Sequence, residues 1–177
     1  MVEMSIFSVV MVGPELPSVV VLAPKLPWQN GDGQARVVLP IWIGRTEAES
    51  IFAVLKKRRP QRPATHDLLA NTIGALGAKL VRVVVDRVQD STFFATLYLN
   101  RGGRTIQLDA RPSDSIALAL RLEAPIFVDE DVMNAAAQRF VTRLADTRQP
   151  LEDSEAAMDE FRDFLSSISP EDFSNNT

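Results

Sequence analysis

The stretch DARPSDSIALALR, residues 109–121, crowds two carboxylates, an arginine and a serine onto the start of an otherwise apolar helix. Helix-end chemistry covers part of it. Pro112 suits a first helical position, where its missing N–H costs nothing, and Asp114 opposes the positive end of the helix dipole, worth about 0.3–1 kcal/mol. Asp109 and Arg111 are harder to absorb. In the preceding strand Ile106 and Leu108 face one way and Gln107 and Asp109 the other. A strand running straight into a helix start, with a carboxylate and a guanidinium beside free backbone N–H groups, is also how anion and metal sites are built. Both readings of Asp109, Arg111, Ser113 and Asp114 stay open on sequence.

A second constellation is KKRRPQRPATHDLL, residues 56–69. Lys56, Lys57, Arg58, Arg59 and Arg62 come without an intervening acid, and the run ends at a helix start where phosphate is welcome. The ordinary reading of Lys56 and Lys57 is that they offset the C-terminal dipole of the helix before them. Thr65, His66 and Asp67 then form a polar group of their own. His66 is the chain's single histidine, and beside a carboxylate an imidazole can act as general base or metal ligand, or simply sit at the surface.

Several chemistries are excluded. G-x-S-x-G, Walker A, G-x-G-x-x-G and H-E-x-x-H are all missing, and with no cysteine there is neither a thiol nucleophile nor a zinc–thiolate site. Carboxylate chemistry remains. Glu47, Glu49, Asp67, Asp109 and Asp114 are oxygen donors of the kind Mg²⁺ and Mn²⁺ prefer, and such an ion lowers the pKa of bound water and clamps a phosphodiester.

The net charge of −4 hides an asymmetry: residues 1–144 hold 17 Lys+Arg against 14 Asp+Glu, and residues 145–177 hold 2 against 9. The acidity belongs to the tail, not to the body that carries both constellations. At 177 residues one domain with a small appendage is expected. No apolar run reaches the ~18 residues of a membrane span, and MVEMSIFSVVMV alternates around Glu3 without a basic leader pattern, so a soluble cytoplasmic protein is expected.

These residues must be positioned by α+β elements. Strands are expected at 3–12, 17–24 and 35–43, the first two paired around GPELP and the third following a reversal at Asn30-Gly31-Asp32-Gly33. A helix from about 45 to 58 follows, with Thr46 as N-cap, and a second has Thr65 as N-cap and Gly77 just past its end. Strands 79–88, 92–99 and 104–109, joined by short polar links, read as an antiparallel meander. Helix 112–122, a short strand PIFV and a helix beginning near Asp129 complete the body. The division is a domain over 1–142, a linker over 143–155 and an acidic helical tail over 156–177, docked loosely or free.

LPIWIGRTEAESI (39–51), RPATHDLL (62–69), TFFATLYL (92–99) and DARPSDSIALALR with APIFV (109–128) resemble, in order and spacing, the bifunctional nuclease family, a bacterial and plant domain. The similarity runs over about residues 3–140, and the closing EFRDFLSSISPEDF looks like the tail of actinobacterial members. The resemblance implies a compact α+β domain with a curved, mainly antiparallel sheet packed by helices, a homodimer or larger homo-oligomer, and cleavage of DNA and RNA. The polar positions matching the family's are Glu47, Arg62, Thr65, His66, Asp67, Asp109, Arg111, Ser113 and Asp114. Ala64 and Ser115 depart from the usual residues, and loop 24–36 is longer than the family norm.

The expectation is therefore a nuclease of low sequence specificity, assisted by Mg²⁺ or Mn²⁺. His66, Asp67, Asp109 and Asp114 are its candidate catalytic residues, and Asp67, Asp109, Asp114 and Glu47 its candidate metal ligands. Arg62, Thr65, Arg111 and Ser113 would hold phosphate, with Lys56, Lys57, Arg58 and Arg59 steering the polymer in. The alternative is a non-enzymatic binding or assembly module whose Arg–Asp motifs are structural. Solvent access separates the two: sealed Arg–Asp pairs favour the module, and an open electropositive cleft favours the nuclease.

Overall fold

A computed structural model describes residues 1–11, 17–28, 35–58, 60–141 and 155–168 of the chain. Its elements are β1 (Val2–Val10), β2 (Ser18–Pro24), β3 (Ala35–Ile43), α1 (Arg45–Leu55), α2 (Thr65–Ala75), β4 (Ala78–Gln89), β5 (Thr92–Arg101), β6 (Arg104–Ala110), α3 (Pro112–Leu122), β7 (Ile126–Val128), α4 (Glu130–Ala136), β8 (Gln138–Val141) and α5 (Glu155–Ser166). The strands form one open sheet in the order β6-β5-β4-β7-β1-β2-β3-β8. All neighbours run antiparallel except β4 and β7. The α+β class and the meander of β4, β5 and β6 are as expected. No described helix is long and apolar enough to cross a membrane.

The alternation of β5 shows how sequence becomes layer: Phe93, Ala95, Leu97 and Leu99 are buried toward the helices, and the residues between them face the other way. The β5–β6 link is a tight turn at Gly102 and Gly103, whose φ angles of 57° and 81° suit a residue without Cβ. From β6 the chain enters α3, buried at Ile116, Ala117, Leu118 and Ala119 and packed between α1, α2 and the sheet. The short β7 then slots in beside β4, fixed by Val83 N–H donating to Pro125 O (3.0 Å) and Asp129 N–H donating to Val85 O (2.9 Å).

β2 separates two cores. Val20 and Leu22 face the layer of α1–α3, whereas Val19 and Val21 face α5. The tail helix is docked: Phe161 is fully buried, with its ring edge-on to Phe7 and Phe140 at 5.5 and 5.1 Å. The four-residue β8 lies outside the expected strands and completes the sheet beside β3. The reversal at residues 30–33 and nearly all of the linker lie outside the described residues.

Two expected caps are corrected. The N-caps of α1 and α2 are Gly44 and Ala64, two and one positions before the threonines assigned to them, and neither supplies a side-chain hydrogen bond. For α2 the reason is Asp67, whose Oδ2 reaches back to accept from Ala64 N–H at 2.9 Å, so an acid in the third helical position closes the turn that Thr65 was expected to cap.

Candidate functional site

Three helix starts meet over one edge of the core. On α1, Ala48 and Ile51 are buried, which turns the neighbouring stripe of Glu47, Ser50 and Val54 into a cleft. On α3, Asp114 and Arg121 are two turns apart and share a stripe. The start of α2 brings His66 and Asp67 between them.

The side chains form one continuous hydrogen-bonded line. Arg111 Nη2 pairs with Glu47 Oε1 at 3.0 Å, and Arg111 also grips Asp114, from Nε to Oδ2 at 2.8 Å and from Nη2 to Oδ1 at 3.1 Å. Asp114 Oδ1 lies 3.0 Å from His66 Nε2, and His66 Nδ1 lies 2.9 Å from Ser50 Oγ. An ionised carboxylate only accepts, so Nε2 carries the imidazole proton, and Nδ1 accepts from the Ser50 hydroxyl. Arg121 donates to Ser50 Oγ at 3.2 Å, to Ser50 O and Ala117 O at 3.4 and 3.0 Å, and to Asp67 Oδ1 at 2.6 Å.

Electrostatics follow from these bonds. Burial pushes the Asp114 carboxyl up, but its bonds to Arg111 and His66 prevail and hold it below the usual carboxylate range. Arg121 and the Ala64 N–H hold Asp67 below that range. Asp114 in turn raises the Arg111 guanidinium. The two ends of the line differ in access: the Arg121 side chain is 9% exposed, whereas Arg111 is 66% exposed. The Arg121–Asp67 end is a largely enclosed brace, and the Arg111 end is an open rim.

The cleft holds about 720 Å³, and its walls include Glu47, Ser50, Thr65, His66, Asp67, Arg58, Arg111, Asp114 and Arg121. Acids balance arginines on these walls, so the cleft is open without being strongly electropositive. Lys57 lines an adjoining hollow on the far side of Arg121 and Asp67. Lys56 and Arg58 both lie over the Phe52 ring, at 5.5 and 5.8 Å. Ser113 is buried and lines a separate hollow near Gly44 and Phe93. Arg62 is exposed on the loop before α2, outside these walls, and Arg59 lies outside the described residues.

Asp109 does not join the others. It stands directly opposite Thr96 on β5, and cross-strand partners share a face. Thr96 alternates with the buried Ala95 and Leu97, so this face points away from α1–α3. Conversely, sequence reasoning passed over Ser50 and Arg121, both central to the line. Helical spacing held the signal: Ser50 is three residues from Glu47, and Arg121 seven from Asp114.

The four expected metal ligands do not form a cage. Glu47 and Asp114 both close on Arg111, Asp67 closes on Arg121, and Asp109 faces the other side of the sheet. Among the described residues no three of His, Asp and Glu are grouped to hold one ion. A divalent cation at Asp114 would have to displace the Arg111 guanidinium.

The bifunctional nuclease domain matches residues 29–140, which include every residue of the line. An uncharacterized protein of Mycobacterium tuberculosis is 41% identical over 144 residues, covering 81% of this chain and 83% of the relative. Bifunctional nuclease 2 of Arabidopsis thaliana is 28% identical over 121 residues, covering 66% of this chain and 35% of the plant protein. Bifunctional nuclease 1 of Oryza sativa subsp. japonica is 28% identical over 99 residues, 54% of this chain and 30% of the relative. The chain thus spans about a third of the plant proteins' length. On the match to its domain and the 41% identity, the chain belongs to the bifunctional nuclease domain family.

Proposed function

We propose that the protein hydrolyses nucleic-acid phosphodiesters in the cleft between α1, α2 and α3. The observation that carries this reading is the hydrogen-bonded sequence Ser50 Oγ, His66 Nδ1, His66 Nε2, Asp114 Oδ1, opening onto a rim held by Arg111. A serine donating to an imidazole that is oriented by an ionised carboxylate is the arrangement that activates a hydroxyl. Arg121 faces the same Oγ, where a guanidinium favours the alkoxide-like charge that develops during attack.

In this reading Ser50 Oγ attacks phosphorus and gives its proton to His66 Nδ1. The P–O ester bond breaks, and the leaving oxygen takes that proton. Water, activated by the same imidazole, then cleaves the Ser50–phosphate ester and restores the hydroxyl. Arg111, open to solvent and fixed by two carboxylates, holds a non-bridging phosphate oxygen, and Arg58 meets the adjoining phosphate. Because these groups address the backbone and not base edges, low sequence specificity and action on both DNA and RNA belong to the proposal. Any Mg²⁺ or Mn²⁺ dependence then belongs to cations carried by the polyanion.

The test is cleavage of labelled single-stranded RNA and DNA with Mg²⁺, Mn²⁺ or chelator, by the native protein and by folded Ser50→Ala, His66→Ala and Asp114→Asn. Loss in all three is expected, with ³²P trapped on Ser50 after acid quench. Activity surviving in His66→Ala would reject the site. Activity surviving in Ser50→Ala alone would make water the nucleophile. The assembly-module reading keeps support from the largely enclosed Arg121–Asp67 brace, and full inactivity of the native protein on every substrate would favour it.

A further inference from the structure

β6 is the edge strand at one end of the sheet. Among the described residues it pairs only with β5, in unbroken register from Ala95↔Ala110 to Arg101↔Arg104, and every residue from Arg104 to Asp109 is exposed. Ile106 and Leu108 stand opposite Leu99 and Leu97, so they extend the apolar, helix-side face of the sheet beyond β5, yet they are 37% and 45% exposed. Such an edge is a template for another strand unless something blunts it, and RTIQLDA has no proline, no lysine and no bulge, its charges standing toward the two ends at Arg104 and Asp109.

We infer that a second copy of this chain pairs antiparallel with β6, and that its Arg104 completes the rim of the first copy's cleft. The symmetry restricts the register. A two-fold axis normal to the sheet keeps both helix layers on one side, so helix-side residues meet helix-side residues. A register centred on Gln107 overlaps all of Arg104–Ala110, sets Ile106 against Leu108 of the second copy twice, and sets Arg104 against Ala110. Other allowed registers shorten the overlap or place Arg104 against Leu108.

This register has a chemical consequence. Ala110 directly precedes Arg111, so Arg104 of the second copy arrives on the helix side beside the Glu47–Arg111–Asp114 rim. Two carboxylates and one guanidinium leave that rim one negative charge in excess, and Arg104 neutralises it. Each cleft thereby gains a phosphate-binding guanidinium in trans, and the two sheets become one of sixteen strands. This role of Arg104 rests on the phosphodiester reading above; the pairing of β6 does not.

Mass measurement by light scattering and sedimentation, over about 1 to 100 µM full-length protein, decides the pairing first. A dimer is expected, and a folded monomer is expected from Ile106→Lys/Leu108→Lys, whose positions are exposed and whose circular dichroism should match the native protein. A native monomer throughout, or a double variant that still dimerises, overturns the interface, whether or not any substrate is cleaved. The trans role is read by co-expressing Arg104→Ala with His66→Ala. Each variant alone is impaired. In the mixed dimer the chain with intact His66 receives Arg104 from its neighbour, so random pairing restores roughly a quarter of native sites. No restoration, in a preparation whose mixed dimers are verified by two tags and whose native control is active, overturns the trans assignment. If the native control is inactive, the nuclease reading fails while the mass result still decides the interface.

Discussion

Replacing Asp67 by asparagine separates what braces the site from what performs chemistry in it. Asp67 accepts from Arg121 Nε at 2.6 Å and from Ala64 N–H at 2.9 Å. Asparagine keeps one acceptor and loses the charge. A hydrogen bond to a charged group contributes about 1.5–3 kcal/mol, and an acid in the first helical turn about 0.3–1 kcal/mol. The side chain is 27% exposed, so solvent screening takes the sum to the lower part of that range, about 1.5–2.5 kcal/mol at pH 7. At this chain length that is a fall in Tm of about 3–9 °C.

The sign with pH is fixed. Asp67 is held below its ordinary value in the folded state, so its contribution is full above the unfolded value near 3.9 and fades as pH falls through the lowered one. Urea unfolding of both proteins at pH 7, 5, 4 and 3.5 should therefore show a gap that is constant down to about pH 5 and then narrows. Arg121 in the variant still has Ser50 O, Ser50 Oγ and Ala117 O. Ser50 stays placed, and turnover should remain within about threefold. A gap below about 0.5 kcal/mol, a gap that does not narrow in acid, or a hundredfold loss of turnover with stability unchanged would refute the division between brace and chemistry.

Other substitutions probe other links. At Gly44 an added Cβ would land on the Glu47 carboxylate; Gly44→Ala should swing Glu47 off Arg111 and raise KM several-fold for a polynucleotide, while the flexible Glu47 tip keeps the stability change within about 0.5 kcal/mol by urea unfolding. Asp109→Asn should change cleavage by less than about twofold, because Asp109 faces away from the cleft; a larger loss would return it to the site. Phe161→Ala should cost about 3–5 kcal/mol locally, seen as lost hydrogen-exchange protection across α5, with cleavage unchanged because α5 covers the opposite face.

Much of the scaffold was legible because its signals are periodic. Alternation in TFFATLYL and the apolar run after Pro112 translate directly into β5 and α3. Gly77, with φ of 69°, ends α2 as its position suggested. The strand β8 was not legible, since QRFV carries too few residues for a period and depends on pairing with β3. Within the site, acids and the histidine stood out by type. Ser50 and Arg121 did not, because a serine amid a helix and an arginine in its last turn have ordinary explanations until α1 and α3 are packed together. Asp109 misled for the opposite reason: closeness to Arg111 in sequence says nothing about which side of the sheet a strand residue faces.

The acids that first drew attention share one position. Glu47, Asp67 and Asp114 each occupy the third residue of their helix, after the caps Gly44, Ala64 and Arg111. At that position the dipole favours the ionised form, so three helix starts aimed at one cleft supply three carboxylates, each ready to hold a cationic or proton-donating neighbour. Capping and chemistry are then the same carboxylates at work, distinguished by whom they face: the largely enclosed Arg121 for Asp67, Arg111 at the rim for Glu47, and both Arg111 and the imidazole for Asp114. Asp114→Asn is the sharpest probe of this economy. An amide still fits the first turn, so stability should fall by less than about 1.5 kcal/mol, but it no longer fixes the proton on His66 Nε2 or balances the imidazolium that the proposed attack by Ser50 would create. Turnover should drop by on the order of a hundredfold or more. Equal small losses in both quantities would mean that Asp114 only caps its helix.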